Sequence, residues 1–285
     1  MATPSEKLAE VLEVLRELQE KGMTAIKSEA LSRTTRERLQ DNGFIKKVYK
    51  GWYMMIPPDE RQGDSTSWYS SFWKFCAQLL EDKYGSDWCI SPEQSLLLHA
   101  GNWTVPTQLI VKSPEAGNFK TDLPFDTSLF HIKSALPAKD QIIVVDGVRM
   151  LSLPSALIQA SPTIYTSNPT DVRTALAMIK DASEVLEPLL SGGHTVVAGR
   201  LAGGFRNIGQ DRIADNIIKT MQKATYDTRE ATPFEGLSVI PLSNRNVSPY
   251  VNRIKLMWQD MRIKVLDYFP KDQVYRKTST LTCSQ

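Results

Sequence analysis

The stretch Ser32-Arg33-Thr34-Thr35-Arg36-Glu37-Arg38-Leu39-Gln40-Asp41-Asn42-Gly43, continued by Phe44-Ile45-Lys46-Lys47-Val48-Tyr49-Lys50-Gly51-Trp52-Tyr53-Met54-Met55-Ile56, decides how the N-terminal part folds. Ser32 or Thr34 can cap a helix, and Asn42-Gly43 is a strong stop because both residue types tolerate left-handed backbone. Residues 44–56 mix β-branched and aromatic side chains around a basic turn and halt at Pro57-Pro58, the pattern of a β-hairpin. Working outward, Leu8, Val11, Leu12, Val14, Leu15 and Leu18 recur at three- and four-residue spacing among Glu and Lys, which predicts an amphipathic helix over 5–21 ending at Gly22. Thr24 opens a second short helix, expected over 25–31. Three helices and a hairpin predict a winged helix-turn-helix over 1–60.

Charge is concentrated there. Arg33, Arg36 and Arg38 on the third helix and Lys46, Lys47 and Lys50 on the hairpin oppose only Glu37 and Asp41, although the whole chain carries a net charge of just +2. Such a split suits a recognition helix in the major groove and a wing, with Tyr49, lying on phosphates, where basic side chains release counterions. A solvated basic face used for protein contacts is the alternative.

With 285 residues, 41% hydrophobic and 23% charged, the chain is of ordinary globular composition and long enough for more than one domain. No run approaches the ~18 apolar residues that span a bilayer, and the N-terminus has no basic-then-apolar signal, so no membrane partner and a cytoplasmic location are expected. The three cysteines, Cys76, Cys89 and Cys283, are odd in number and irregularly spaced, which argues against a disulfide framework and against a zinc site. No metal and no organic cofactor are expected, and the sequence leaves the oligomeric state open.

The remainder reads as a mixed α/β (α+β) domain over 64–225 with a helical C-terminal part, then an extended or helical segment over 226–285. Gly63 to Thr66 cap a helix over 67–84 that presents Trp68, Phe72, Phe75, Cys76, Leu79 and Leu80. A short strand near Cys89-Ile90 precedes a helix starting at Pro92, and Leu109–Val111, Leu129–Ile132 and Ile142–Val145 are further strands, the last entering a hairpin turn at Asp146-Gly147. From Pro154 the pattern turns helical, through 170–190, 192–203 and 208–224.

Gly43 to Tyr53, Ile90-Ser91, Ser95-Leu96, His99 and Val105-Pro106 resemble the AbiEi-type antitoxins of bacterial phage-defence loci, over roughly residues 5–220. That resemblance implies a winged helix on an α/β body and a DNA-binding antitoxin or transcriptional repressor without catalytic activity. Ser248 to Ile254, Met257-Trp258 and Val265 to Pro270 resemble the linker before the catalytic domain of Fic-type adenylyltransferases. The His-Pro-Phe-x-x-Gly-Asn-Gly-Arg motif of those enzymes is not in the sequence, so Fic chemistry is not expected, and a docking unit of a split Fic system is a third reading. The polar residues 277–285 are expected to fray.

Walker, dinucleotide, HExxH, CxxC and nucleophile-elbow motifs are missing, so chemistry has to come from a constellation. The best one is Glu93, Ser95 and His99: a helix starting at Pro92 puts Glu93 in its first turn and Ser95 and His99 one turn apart on one face. A capping Ser91, a dipole-complementing Glu93 and a half-buried core His99 are the bland equivalent. The architecture is also similar to antiphage DNA glycosylases that remove glucosylated hydroxymethylcytosine, and base excision is the function expected of this chain, with the antitoxin or repressor as the alternative. That likeness implies double-stranded phage DNA with modified bases as substrate and an abasic site as product. Cleaving an N-glycosidic bond needs a carboxylate rather than a metal, and the base has to leave the stack. Trp68, Tyr69, Trp73, Trp88 and Trp103 can supply wedges or a base pocket, or pack in the core. Gly203-Gly204 and Ser191-Gly192-Gly193 read as loop glycines. Arg200, Arg206 and Arg212 flank the first pair, and Lys219, Lys223 and Arg229 extend the run, which is either a second phosphate-contacting surface or a solvated face.

Overall fold

The structure, a computed structural model, describes residues 4–20, 22–61 and 63–234. The Fic-like segments, Cys283 and most of the expected C-terminal segment lie outside the described residues. The chain is mixed α+β and divides into two compact units. One consists of the residues up to Ser91 together with Thr104–Leu151, and the other of Pro92–Trp103 with the residues from Ser152 onward.

The first unit opens with α1 (Pro4–Glu20), β1 (Ala25–Lys27), a single 3-10 turn (Ser28–Ala30), α2 (Arg33–Asp41), β2 (Ile45–Tyr49) and β3 (Trp52–Met55). Its three strands are antiparallel in the order β1-β3-β2, and a bulge falls between Lys47 and Tyr49. Val11 and Leu15 of α1 bury against Ile26, Leu31, Leu39, Ile45 and Tyr53. Val14, expected on the same face, is 40% exposed.

The helix expected over 25–31 is not formed. A short helix here competes with the open edge of β3, whose backbone hydrogen bonds the segment takes. Ala25, Ile26 and Lys27 instead pair with Met54, Tyr53 and Trp52 along the edge of β3, where the β-branched Ile26 is fully buried. Ser28 N–H then donates to the Gly51 carbonyl at 2.7 Å and turns the chain into α2.

The same unit continues with α3 (Thr66–Tyr84), whose Trp68, Phe72, Phe75 and Leu80 are buried. Asp64 caps its start by accepting from Thr66 N–H. A four-stranded sheet has the order β4-β5-β7-β6, from β4 (Cys89–Ile90), β5 (Gln108–Ser113), β6 (Phe119–Asp122) and β7 (Ser128–Lys133); β5 and β7 run parallel and the other pairs antiparallel. Strand β6 has little signature in the sequence, since Phe119-Lys120-Thr121-Asp122 has only one large apolar residue. The hairpin β8 (Ile142–Val145) and β9 (Val148–Leu151) turns at Asp146-Gly147, both at positive φ as a two-residue hairpin requires. Cys76 and Cys89 are buried thiols.

The second unit is helical: α4 (Pro92–His99), α5 (Leu153–Gln159), α6 (Ile164–Ser167), α7 (Pro169–Met178), α8 (Ser183–Ser191), α9 (Thr195–Asn207) and α10 (Asp211–Lys223). The helix expected over 170–190 is two helices, because Ile179 is extended, Glu184 accepts from the Lys180 and Asp181 N–H groups of the linker, and Asp181 accepts from Ser183 N–H at the start of α8. The loop expected at Gly203-Gly204 is not formed. Gly199, Gly203 and Gly204 lie inside α9, where Cβ atoms on the first two would overlap the carbonyl oxygens of Arg229 and Ala231. Gly199 and Gly203 are small for the sake of a close backbone approach, and Gly204 faces the Leu176 side chain.

Candidate nucleic-acid interface

Helix α2 is built for a fixed start and a fixed stop. Ser32 Oγ accepts from Thr35 N–H at 3.1 Å, so Ser32 rather than Thr34 is the cap. At the other end Gly43 adopts φ 74° while Gly43 N–H and Phe44 N–H donate to the Gln40 and Leu39 carbonyls, and Asn42 Nδ2 donates to the Arg38 carbonyl at 2.8 Å. Leu39 anchors the helix on its buried side, which leaves Arg33, Thr34, Glu37, Gln40 and Asp41 exposed.

The six basic residues divide by what they touch. Arg33 has a side chain 83% exposed and donates from Nε to Glu37 at 2.7 Å, and this pairing raises its pKa. Arg36 donates to the Ser28 carbonyl at 3.0 Å and sits over the Tyr53 ring at 5.7 Å, so it ties α2 to the turn and the sheet. Arg38 is half-buried. Lys46 is exposed, with Nζ 3.7 Å from Glu60. Lys47 and Lys50 are exposed and form no ion pair among the described residues, and Tyr49 is half-buried beside the bulge. The bulge turns the tip of the hairpin, where Lys50 precedes Gly51 at φ 74°.

The expected constellation on α4 has a different character. Glu93 is half-buried and its Oε1 accepts from Ser161 N–H at 2.9 Å, which fastens the start of α4 to the loop before α6. Ser95 is fully buried, and His99 and Trp103 are half-buried in the same unit. Trp68 is 1% exposed, donates from Nε1 to Thr127 Oγ1 at 3.2 Å and packs on Phe72 and Phe75. Trp73 and Trp88 are likewise buried, whereas Tyr69 is 43% exposed beside Phe125. The cleft of about 270 Å³ beside Thr24, Met55 and Lys74 in the first unit is lined by none of these residues. Among the described residues no cluster of His, Cys, Asp and Glu could hold a metal, and no helix is long and apolar enough to cross a membrane.

Arg200 is half-buried. Arg206 is held by three carboxylates: Glu230 at 2.8 and 2.9 Å, Asp215 at 2.9 Å and Asp211 at 3.3 Å. These bonds push its pKa further up, and they occupy the fork that a phosphate would need. Arg212, Lys219 and Lys223 are exposed on α10, and Arg229 lies 3.8 Å from Asp227.

One buried polar group belongs to no sequence motif. His131 on β7 is 1% exposed, with Nδ1 3.0 Å from the Tyr84 hydroxyl, Nε2 3.1 Å from Thr121 Oγ1, and Phe119 stacked on its ring at 4.3 Å. Burial first, and then the nearby Lys83, lowers its pKa to about 4, so it is neutral. The available signal is alternation along β7, which sends Leu129 and His131 to the same inner face.

No family model and no curated protein matches this chain. Among solved structures it is similar to the Rv2827c protein from Mycobacterium tuberculosis, with a TM-score of 0.50 and 15% identity over 88% of this chain and 95% of that chain. At that identity the likeness is one of fold.

Proposed function

We propose that this chain binds double-stranded DNA through α2 and the β2–β3 hairpin, used as a winged helix, and that it acts as an operator-binding repressor of the AbiEi kind. One observation carries the reading. Arg33, Lys46, Lys47 and Lys50 project from two neighbouring elements of one unit, and Lys47 and Lys50 form no ion pair among the described residues. Cations in that state attract phosphates and release counterions, while the exposed Arg33, Thr34, Glu37 and Gln40 offer donors and acceptors to base edges. A cytoplasmic location and a place in a phage-defence locus go with this reading.

Excision of a glucosylated hydroxymethylcytosine is the enzymatic counterpart. It would use Glu93, whose carboxylate is engaged by a backbone N–H, and Ser95, which is closed to solvent, so the geometry favours the repressor. The test is to titrate the purified chain with duplex DNA at several salt concentrations, then treat unmodified and hypermodified phage DNA with the protein followed by alkali. Salt-sensitive, sequence-selective binding with intact strands is expected. Strand breaks confined to the modified DNA would replace repression with base excision, and failure to bind any duplex would overturn the DNA reading altogether.

A further inference from the structure

Beyond α10 the chain turns back and lays residues 226–234 along the glycine face of α9. Ala231 N–H donates to the Gly199 carbonyl at 3.1 Å, and Gly199 and Gly203 give the strap room for backbone-to-backbone contact. One end is tied by Tyr226, whose hydroxyl donates to the Leu190 carbonyl at 3.3 Å. In the middle, Glu230 grips Arg206 with both oxygens. At the far end Phe234, 1% exposed, lies against the Tyr165 ring at 5.2 Å and covers the Arg173 guanidinium at 4.5 Å. Arg173 is itself fully buried, with Nε donating to Asn207 at 3.1 Å.

The join is the unusual part. Thr225 N–H and Tyr226 N–H close α10 onto the Gln222 and Met221 carbonyls, a cap whose left-handed position is normally filled by glycine. Here it is Thr225, at φ 66°, a β-branched residue in a conformation that is costly for it. A strained joint next to a nine-residue segment held by one exposed ion pair, the Ala231 and Tyr226 hydrogen bonds and the Phe234 ring, with no regular secondary structure of its own, is an arrangement that opens locally.

We propose that residues 226–234 are a releasable clamp that swings about Thr225, uncovering Arg173 and the glycine face of α9 while the helices of the unit stay folded. The clamp loosens as salt screens the Arg206–Glu230 pair, because Arg206 is partly solvent-exposed.

Thiol labelling of the full chain, with Cys283→Ser to remove background, tests this. Thr228→Cys reports the strap, since Thr228 is 3% exposed, and Thr174→Cys reports the helical core, since Thr174 is fully buried on α7. Labelling of Thr228→Cys is expected to be at least about tenfold faster than that of Thr174→Cys and to rise with salt. Added Glu230→Gln should speed it about fivefold, and Thr225→Gly should slow it about threefold, with Thr174→Cys unchanged in both. Equal labelling at the two positions, or strap rates that track those of Thr174→Cys in every variant, would overturn the clamp.

Discussion

The basic residues of α2 and the β2–β3 hairpin and those of α9 look alike along the chain, each a few Arg or Lys beside small or polar neighbours. In space they are opposites. Lys47 and Lys50 stand exposed without an ion pair among the described residues, whereas Arg206 is held by Glu230, Asp215 and Asp211 and Arg200 is half-buried. A cation available to a phosphate is one without a better local partner. Partners arrive from distant sequence: Glu230 is 24 residues beyond Arg206.

The largest effect expected from this contrast is on stability and leaves DNA binding alone. Gly203→Ala drives a methyl into the Ala231 carbonyl, so backbone has to shift, and a loss of about 3 kcal/mol in urea unfolding is expected. Gly63→Ala, with open space around it but also at positive φ, should cost only about 1 kcal/mol. Similar losses in the two variants would mean that the glycine face of α9 is not tightly covered.

Next comes a pH effect in the first unit. The folded pKa of His131, about 4, is below its unfolded value of about 6.5, so the unfolded chain takes up a proton that the folded chain refuses. The contribution is complete above about pH 6.5 and is lost as pH falls through about 4, up to about 3 kcal/mol in all. Unfolding free energies at pH 7, 5.5 and 4.5 should decline accordingly, and His131→Asn should flatten that decline. An unchanged slope in the variant would assign the acid sensitivity to other groups.

The smallest effects separate the two sets of cations directly. Lys47→Ala with Lys50→Ala should weaken duplex binding about tenfold and reduce its salt slope by about 2, with thermal unfolding nearly unchanged. Arg206→Gln should do the reverse, lowering stability by about 1 kcal/mol with no change in DNA affinity. If Arg206→Gln weakened DNA binding as much as the lysine pair, the contrast between the two regions would fail.

Much of the fold was legible where local chemistry suffices. Ser32, Asn42 and Gly43 bracket α2 by side-chain and backbone bonds spanning no more than five residues, and Asp146-Gly147 sets the β8–β9 turn through its own left-handed preference. The alternation along β5 is equally local. The cleanest failures are long-range. Residues 25–31 carry a fair helix pattern, yet the open edge of β3 claims 25–27, and that edge exists only once the hairpin has folded. Gly203-Gly204 suggests a loop until the strap that needs the space is in view. The candidate site divides along the same line. The concentration of Arg and Lys over residues 33–50 is a property of the sequence. Which of them face solvent, that Glu93 meets the Ser161 N–H, that Trp68 lies in the core, and that Arg206 is spoken for were all decided by tertiary structure, because each depends on a partner that short-range periodicity does not encode.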